Sequence, residues 1–119
     1  MATSRSASAF DTFLRRAWAD HATRADAVAR RLRTRTPPPQ SSAQLSALAR
    51  FVVHLLGEHL GRFDDARWRL DALRSHPLAD DGVQSELRVG AATLNLSRGD
   101  DGAALRLGAA ELVRAESGA

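Results

Sequence analysis

The stretch HLLGEHLGRFDDARWRL occupies residues 54–70. It places two histidines and a glutamate (His54, Glu58, His59) within six residues, just before a glycine-bearing turn and an acidic segment. Two readings compete: a metal or acid/base site, or the turn of a helical hairpin. The flanking pattern favours the hairpin. Upstream, Leu45, Leu48, Phe51, Val52, Leu55, Leu56 and His59 form one stripe of helical period. Downstream, Ala66, Leu70 and Leu73 form another, to which Trp68 is expected to add buried area. Between them, Asp64 and Asp65 come after Gly61, where carboxylates complement the free N–H groups and dipole of a helix start. Gly57, in mid-helix, suggests a point where a neighbouring helix approaches closely.

The same signals recur along the chain. Phe10, Phe13, Leu14, Ala17 and Trp18 make an apolar stripe, Val28 and Leu32 continue one, and Val83, Leu87, Ala91, Leu94, Leu105 and Leu112 complete the set. No segment alternates with period two, and alanine is abundant, so strands are not expected. The prolines of TPPPQSS (36–42) forbid helix, and Ser41 or Ser42 can cap the next one. In SHPLADDG (75–82), Pro77 ends one helix and Asp80 or Asp81 can cap its successor. The pattern predicts an all-α fold of about six antiparallel helices, near 6–21, 24–35, 42–60, 63–75, 81–97 and 100–116.

These helices repeat as hairpins near 6–36, 42–76 and 81–116. A shift of 38 residues lays Phe13 on Phe51, His21 on His59, Arg24 on Arg62 and Asp26 on Asp64. It also matches Arg31 with Arg69, Leu32 with Leu70 and Pro39 with Pro77. A further shift lays Gly61 on Gly99 and Ala66 on Ala104, so the third copy keeps mainly the turn. The segments GRFDDARWRL (61–70) and RGDDGAALRL (98–107) resemble the tetratricopeptide-repeat class of α-solenoids. There, a glycine-bearing turn precedes an acidic start, an alanine packs against the previous helix, and a proline closes the hairpin. Ala66, Leu70 and Pro77 keep that order. The first half of the motif departs from it, since Arg50 and His54 stand where a tryptophan and a small residue belong. The resemblance implies three stacked hairpins with a groove lined by the first helix of each. The family register, counted from Gly61 and Gly99, implies that Leu48, Phe51, Val52, Leu55, Glu58, Glu86, Val89 and Thr93 line it. Protein or peptide binding is implied by analogy of fold. The implied ligand is an apolar helix or extended segment rather than a free carboxyl terminus.

Bulk properties bound the remaining functions. With 119 residues the chain is expected to be one domain. The absence of cysteine excludes disulfides and thiolate metal sites. No apolar run reaches membrane-span length, and the segment MATSRSASAF lacks a secretory hydrophobic region, so a cytoplasmic protein is expected. All 17 basic residues are arginine, with lysine, isoleucine and tyrosine absent, as a GC-rich bacterial genome would produce. Residues 1–40 hold eight arginines against three aspartates, so the net +3 of the chain is concentrated there.

Three other groups could carry chemistry. His54 and His59 stand about 140° apart on an α-helix, unlike the paired ligands of an H-E-x-x-H zinc site. His21 and His59 share a repeat position at a helix end, where an imidazole serves free carbonyls. Arg30, Arg31, Arg33 and Arg35 form a basic patch that would suit a small nucleic-acid-associated regulator. Against that, no stacking platform or recognition motif accompanies them. Trp18 and Trp68 are expected in the core. No nucleophile elbow or phosphate loop occurs, so no catalytic residue, metal or cofactor is expected. The last helix is rich in alanine and leucine on more than one face, implying a homodimer contact, a docking surface or a longer array.

Overall fold

The computed structural model describes residues 2–99, 106–107 and 109–113, with side chains from Ser8 onward. Five α-helices occur in order: α1 (Ala2–Asp20), α2 (Ala25–Arg35), α3 (Ser42–Val52), α4 (Phe63–Leu73) and α5 (Asp81–Arg98). The α3 helix runs on without a break as a π-helix over Val53–His59. Beyond Gly99, residues 109–113 are helical. Among the described residues there is no strand, and no helix is long and apolar enough to cross a membrane. The 100–116 helix expected from the sequence lies largely outside the described residues.

The boundaries come from local chemistry. The α2 helix stops at Arg35 because Thr36 precedes three prolines, which push it to extended backbone with ψ 119°. The Ser41 side chain accepts a hydrogen bond from the Gln44 N–H at 3.1 Å and caps α3. Ser42, the other candidate cap, instead donates its hydroxyl to the Leu78 carbonyl at 2.9 Å, fixing the start of α3 to the turn before α5. Asp80 caps α5 by accepting from the Val83 N–H at 2.9 Å. That bond, helped by the Ser42 hydroxyl, holds the Asp80 carboxyl below its ordinary value. Gly61 (φ 68°) and Gly99 (φ 91°) close the helices before them in left-handed conformation, which a side chain at either position would strain.

Packing is between neighbours only. The α1 helix packs on α2 and α3, and α2 on the π segment. The α3 helix packs on α4 and α5, and α4 on α5. Among the described residues, α1 meets neither α4 nor α5, and α2 does not meet α4. One core runs through the stack, centred on Phe10, Leu45, Phe51, Leu55, Leu56 and Leu70, all fully buried. Ala66 is also fully buried, at the contact expected of it.

Two small residues set how closely α5 approaches. A Cβ added to Gly57 would lie 2.2 Å from Leu94 Cδ2, and one on Gly90 would lie 3.0 Å from Val53 Cγ2 and 3.2 Å from Leu70 Cδ1. Gly57 therefore admits a neighbouring helix, which offsets the roughly 1 kcal/mol that a mid-helix glycine costs. Both tryptophans expected in the core depart from that expectation, Trp18 at 40% exposed and, further still, Trp68 at 70% exposed. Trp68 lies two residues from both Ala66 and Leu70, about 200° round the helix from each, so the burial of those two points it outward.

Candidate functional site

The first helices of successive pairs, α1, α3 and α5, lie side by side and leave a groove of about 450 Å³. Its walls carry Trp18 from α1, Arg50, Val53, His54 and Glu58 from α3 and the π segment, and Val89 from α5. Glu86 and Thr93 complete the α5 wall. Most of the exposed lining is apolar, with Trp18 40% and Val89 48% accessible. Arg50 and Glu86 pair across the groove from α3 to α5.

This geometry divides the residues expected to line a groove. Glu58, Glu86, Val89 and Thr93 do line it. Leu48, Phe51, Val52 and Leu55 are instead buried in the core and offer a ligand nothing in this conformation. The π segment supplies the reason. Its Leu60 N–H bonds back to the Leu55 carbonyl, a five-residue spacing, at 3.0 Å. Counting back from Gly61 with α-helical steps holds as far as Glu58. Across the wider turn the count slips by one residue, so Ala47, Arg50 and His54 occupy the positions assigned to Leu48, Phe51 and Leu55.

A ring cluster closes one end of the groove. The indole of Trp18 meets Phe51 edge-on at 4.8 Å between centroids and lies 4.9 Å from His54 and 5.4 Å from His21. His21 Nδ1 is 2.5 Å from the Trp18 carbonyl. A carbonyl only accepts, so Nδ1 carries a proton and donates it. The His21 Nε2 of a neutral ring is then an acceptor, and His54 Nε2, 3.0 Å away, is the donor. His54 Nδ1 faces Glu58 Oε1 at 3.9 Å. His21 thus serves a free carbonyl at the end of α1, as expected of that repeat position. His59 makes no such bond among the described residues; its ring is 5.5 Å from that of His21 and 6.5 Å from that of His54. Among the described residues, no three His, Asp or Glu side chains are gathered so as to hold a metal ion. The trio of Trp18, His21 and His54 was not expected from the sequence. Its members lie up to 36 positions apart on two helices, α1 and the α3–π helix, that pack together, and no short-range signal joins them.

The basic patch is split by its helix. Arg31 is half-buried and pairs with Asp20 at 3.2 Å, whereas Arg30, Arg33 and Arg35 are exposed. No family model, curated protein or solved structure matches the chain.

Proposed function

We propose that the protein is a tetratricopeptide-like interaction module of stacked helical hairpins, and that it binds a protein segment along the groove between α1, α3 and α5. The observation that carries this reading is the groove itself: an apolar, partly exposed channel built only from the first helices of successive pairs. Two features of the stack support a repeat. Asp26 and Asp64 hold the same place, the second residue of α2 and of α4. Each pairs with an arginine beside the turn glycine that follows the next pair's first helix, Asp26 with Arg62 just after Gly61 and Asp64 with Arg98 just before Gly99 at 3.1 Å. The turn glycines Gly61 and Gly99 share a left-handed conformation at equivalent positions.

The occupant we favour is an amphipathic segment. Its apolar residues would cover Trp18 and Val89, and its polar flank would meet the Arg50–Glu86 pair and Glu58. The groove chemistry gives no ground for a catalytic reading: its polar groups are an ion pair, a carboxylate, a histidine bonded to another histidine, and the Thr93 hydroxyl, which donates to the Val89 carbonyl at 3.0 Å rather than to a base.

Val89→Arg tests the site, because Val89 is accessible and its replacement leaves the core intact. The variant should keep the helical circular dichroism and melting temperature of the parent and lose the partner captured from nuclease-treated lysate of the source organism. Phe51→Asp does not serve this purpose, since Phe51 is fully buried and its loss would unfold the chain. Capture that survives Val89→Arg but disappears on Arg30→Ala and Arg33→Ala would move the function to the α2 arginines.

A further inference from the structure

A second concavity lies between α1 and α2, lined by residues of that pair alone, and the groove plays no part in it. It has a volume of about 380 Å³. Three guanidinium groups line it: Arg16 from α1, and Arg31 and Arg35, one helical turn apart on α2. Phe13, Ala17 and Val28 give it an apolar floor.

Its charge is unbalanced. Residues 1–40 contain three acids, and each has a partner. Asp11 accepts from Gln44 Nε2 at 3.1 Å on the α3 side, Asp20 holds Arg31, and Asp26 is taken by Arg62. Arg16 and Arg35 therefore have no carboxylate among the described residues. Two cations without a carboxylate and a third that is paired with Asp20 line one concavity, which concentrates positive potential. Guanidinium forks match the oxygens of a phosphate group bidentately. The apolar floor suits an organic group attached to that phosphate.

We infer that this cleft binds a small phosphomonoester, with Arg16, Arg31 and Arg35 on the phosphate oxygens and the organic group on Phe13 and Val28. The position of the arginines on α2 separates this site from a general basic patch. Arg31 and Arg35 face the cleft, whereas Arg30 and Arg33 on the same helix do not line it.

The test is thermal unfolding of the full chain in phosphate-free buffer of constant chloride strength, titrated with inorganic phosphate, phenyl phosphate or a short single-stranded oligonucleotide. The melting temperature should rise with phosphate and rise further with phenyl phosphate at equal concentration. Arg16→Gln and Arg35→Gln should each weaken phenyl phosphate about tenfold, with Arg30→Gln and Arg33→Gln staying within about twofold of the parent. Arg35→Lys should recover part of the loss, because it keeps the charge without the fork. Circular dichroism checks that each variant is folded. The inference is overturned if phenyl phosphate gives no stabilisation, which would leave these arginines as a solvated end face. It is overturned equally if the Arg30 and Arg33 variants lose as much as the Arg16 and Arg35 variants, or if the oligonucleotide stabilises the chain and phenyl phosphate does not.

Discussion

The two junctions of the stack join similar helices by different chemistry. Where α1 and α2 meet α3 and the π segment, the contact is aromatic and polar. Trp18 lies on Phe51, His21 bonds His54, and the buried Gln44 donates to Asp11. Where α3 and α4 meet α5, the buried contact is small and apolar, with Gly57 beneath Leu94 and Gly90 between Val53 and Leu70, and the Arg50–Glu86 pair crosses at its accessible edge. An exposed arginine–aspartate pair crosses each junction, from Arg62 in the turn before α4 at the first and from Arg98 at the end of α5 at the second. Helices can thus pack side by side through unlike side chains, because what each interface needs is matched volume and satisfied polar groups. The consequence is the shape of the groove. The polar junction holds Trp18 part-exposed at one side of the groove, and the close glycine junction brings the Val89 wall near enough to form the other.

Four tests grade this comparison, in falling order of effect. Phe51→Ala removes the ring on which the first junction is built and should cost about 3–5 kcal/mol in denaturant unfolding. A loss below about 1 kcal/mol would mean that the aromatic contact contributes little. Gly90→Val should cost about 1–3 kcal/mol by forcing α5 away from Val53 and Leu70. Unchanged stability would show that the second junction has slack. A double-mutant cycle of His21→Ala and His54→Ala should give a coupling of about 0.5–1.5 kcal/mol, the worth of one hydrogen bond. Additive losses would show that the rings only pack. Arg62→Ala and Arg98→Ala should each cost less than about 1 kcal/mol, equally at the two junctions and less at high salt, since both pairs are exposed. A larger loss at one clamp would mark that junction as dependent on it.

Much of the fold was legible because it rests on short-range rules. Apolar period, the proline run after Thr36, the Ser41 and Asp80 caps and the two turn glycines each act within a few residues and placed the helices within a few residues of their observed ends. Gly57 in mid-helix points to a close helix approach, and Leu94 lies where that requires. The site was legible only in part. The strongest apolar stripe of α3 belongs to the core, so Leu48, Phe51, Val52 and Leu55 point inward and weaker candidates such as Ala47 and Arg50 face the groove. The π segment then shifts the register of everything before it by one residue. A helical turn can close on the fourth or the fifth residue, and no local signal in the sequence marked the wider turn over Val53–His59. Trp68 failed for another reason: its size suggested burial, while the positions of Ala66 and Leu70 already required it to face solvent.

The most direct measurement is photo-crosslinking in cells of the source organism, with a photoreactive residue placed at Val89 in the groove or at Trp68 on the outer face of α4. The two positions are both exposed and differ in little but the face they occupy. A discrete adduct at Val89, absent at Trp68 and absent when Thr93→Arg is added one turn further along the same groove wall, is the predicted result. An adduct that forms at Trp68 and not at Val89 would contradict the assignment of the groove as the binding surface.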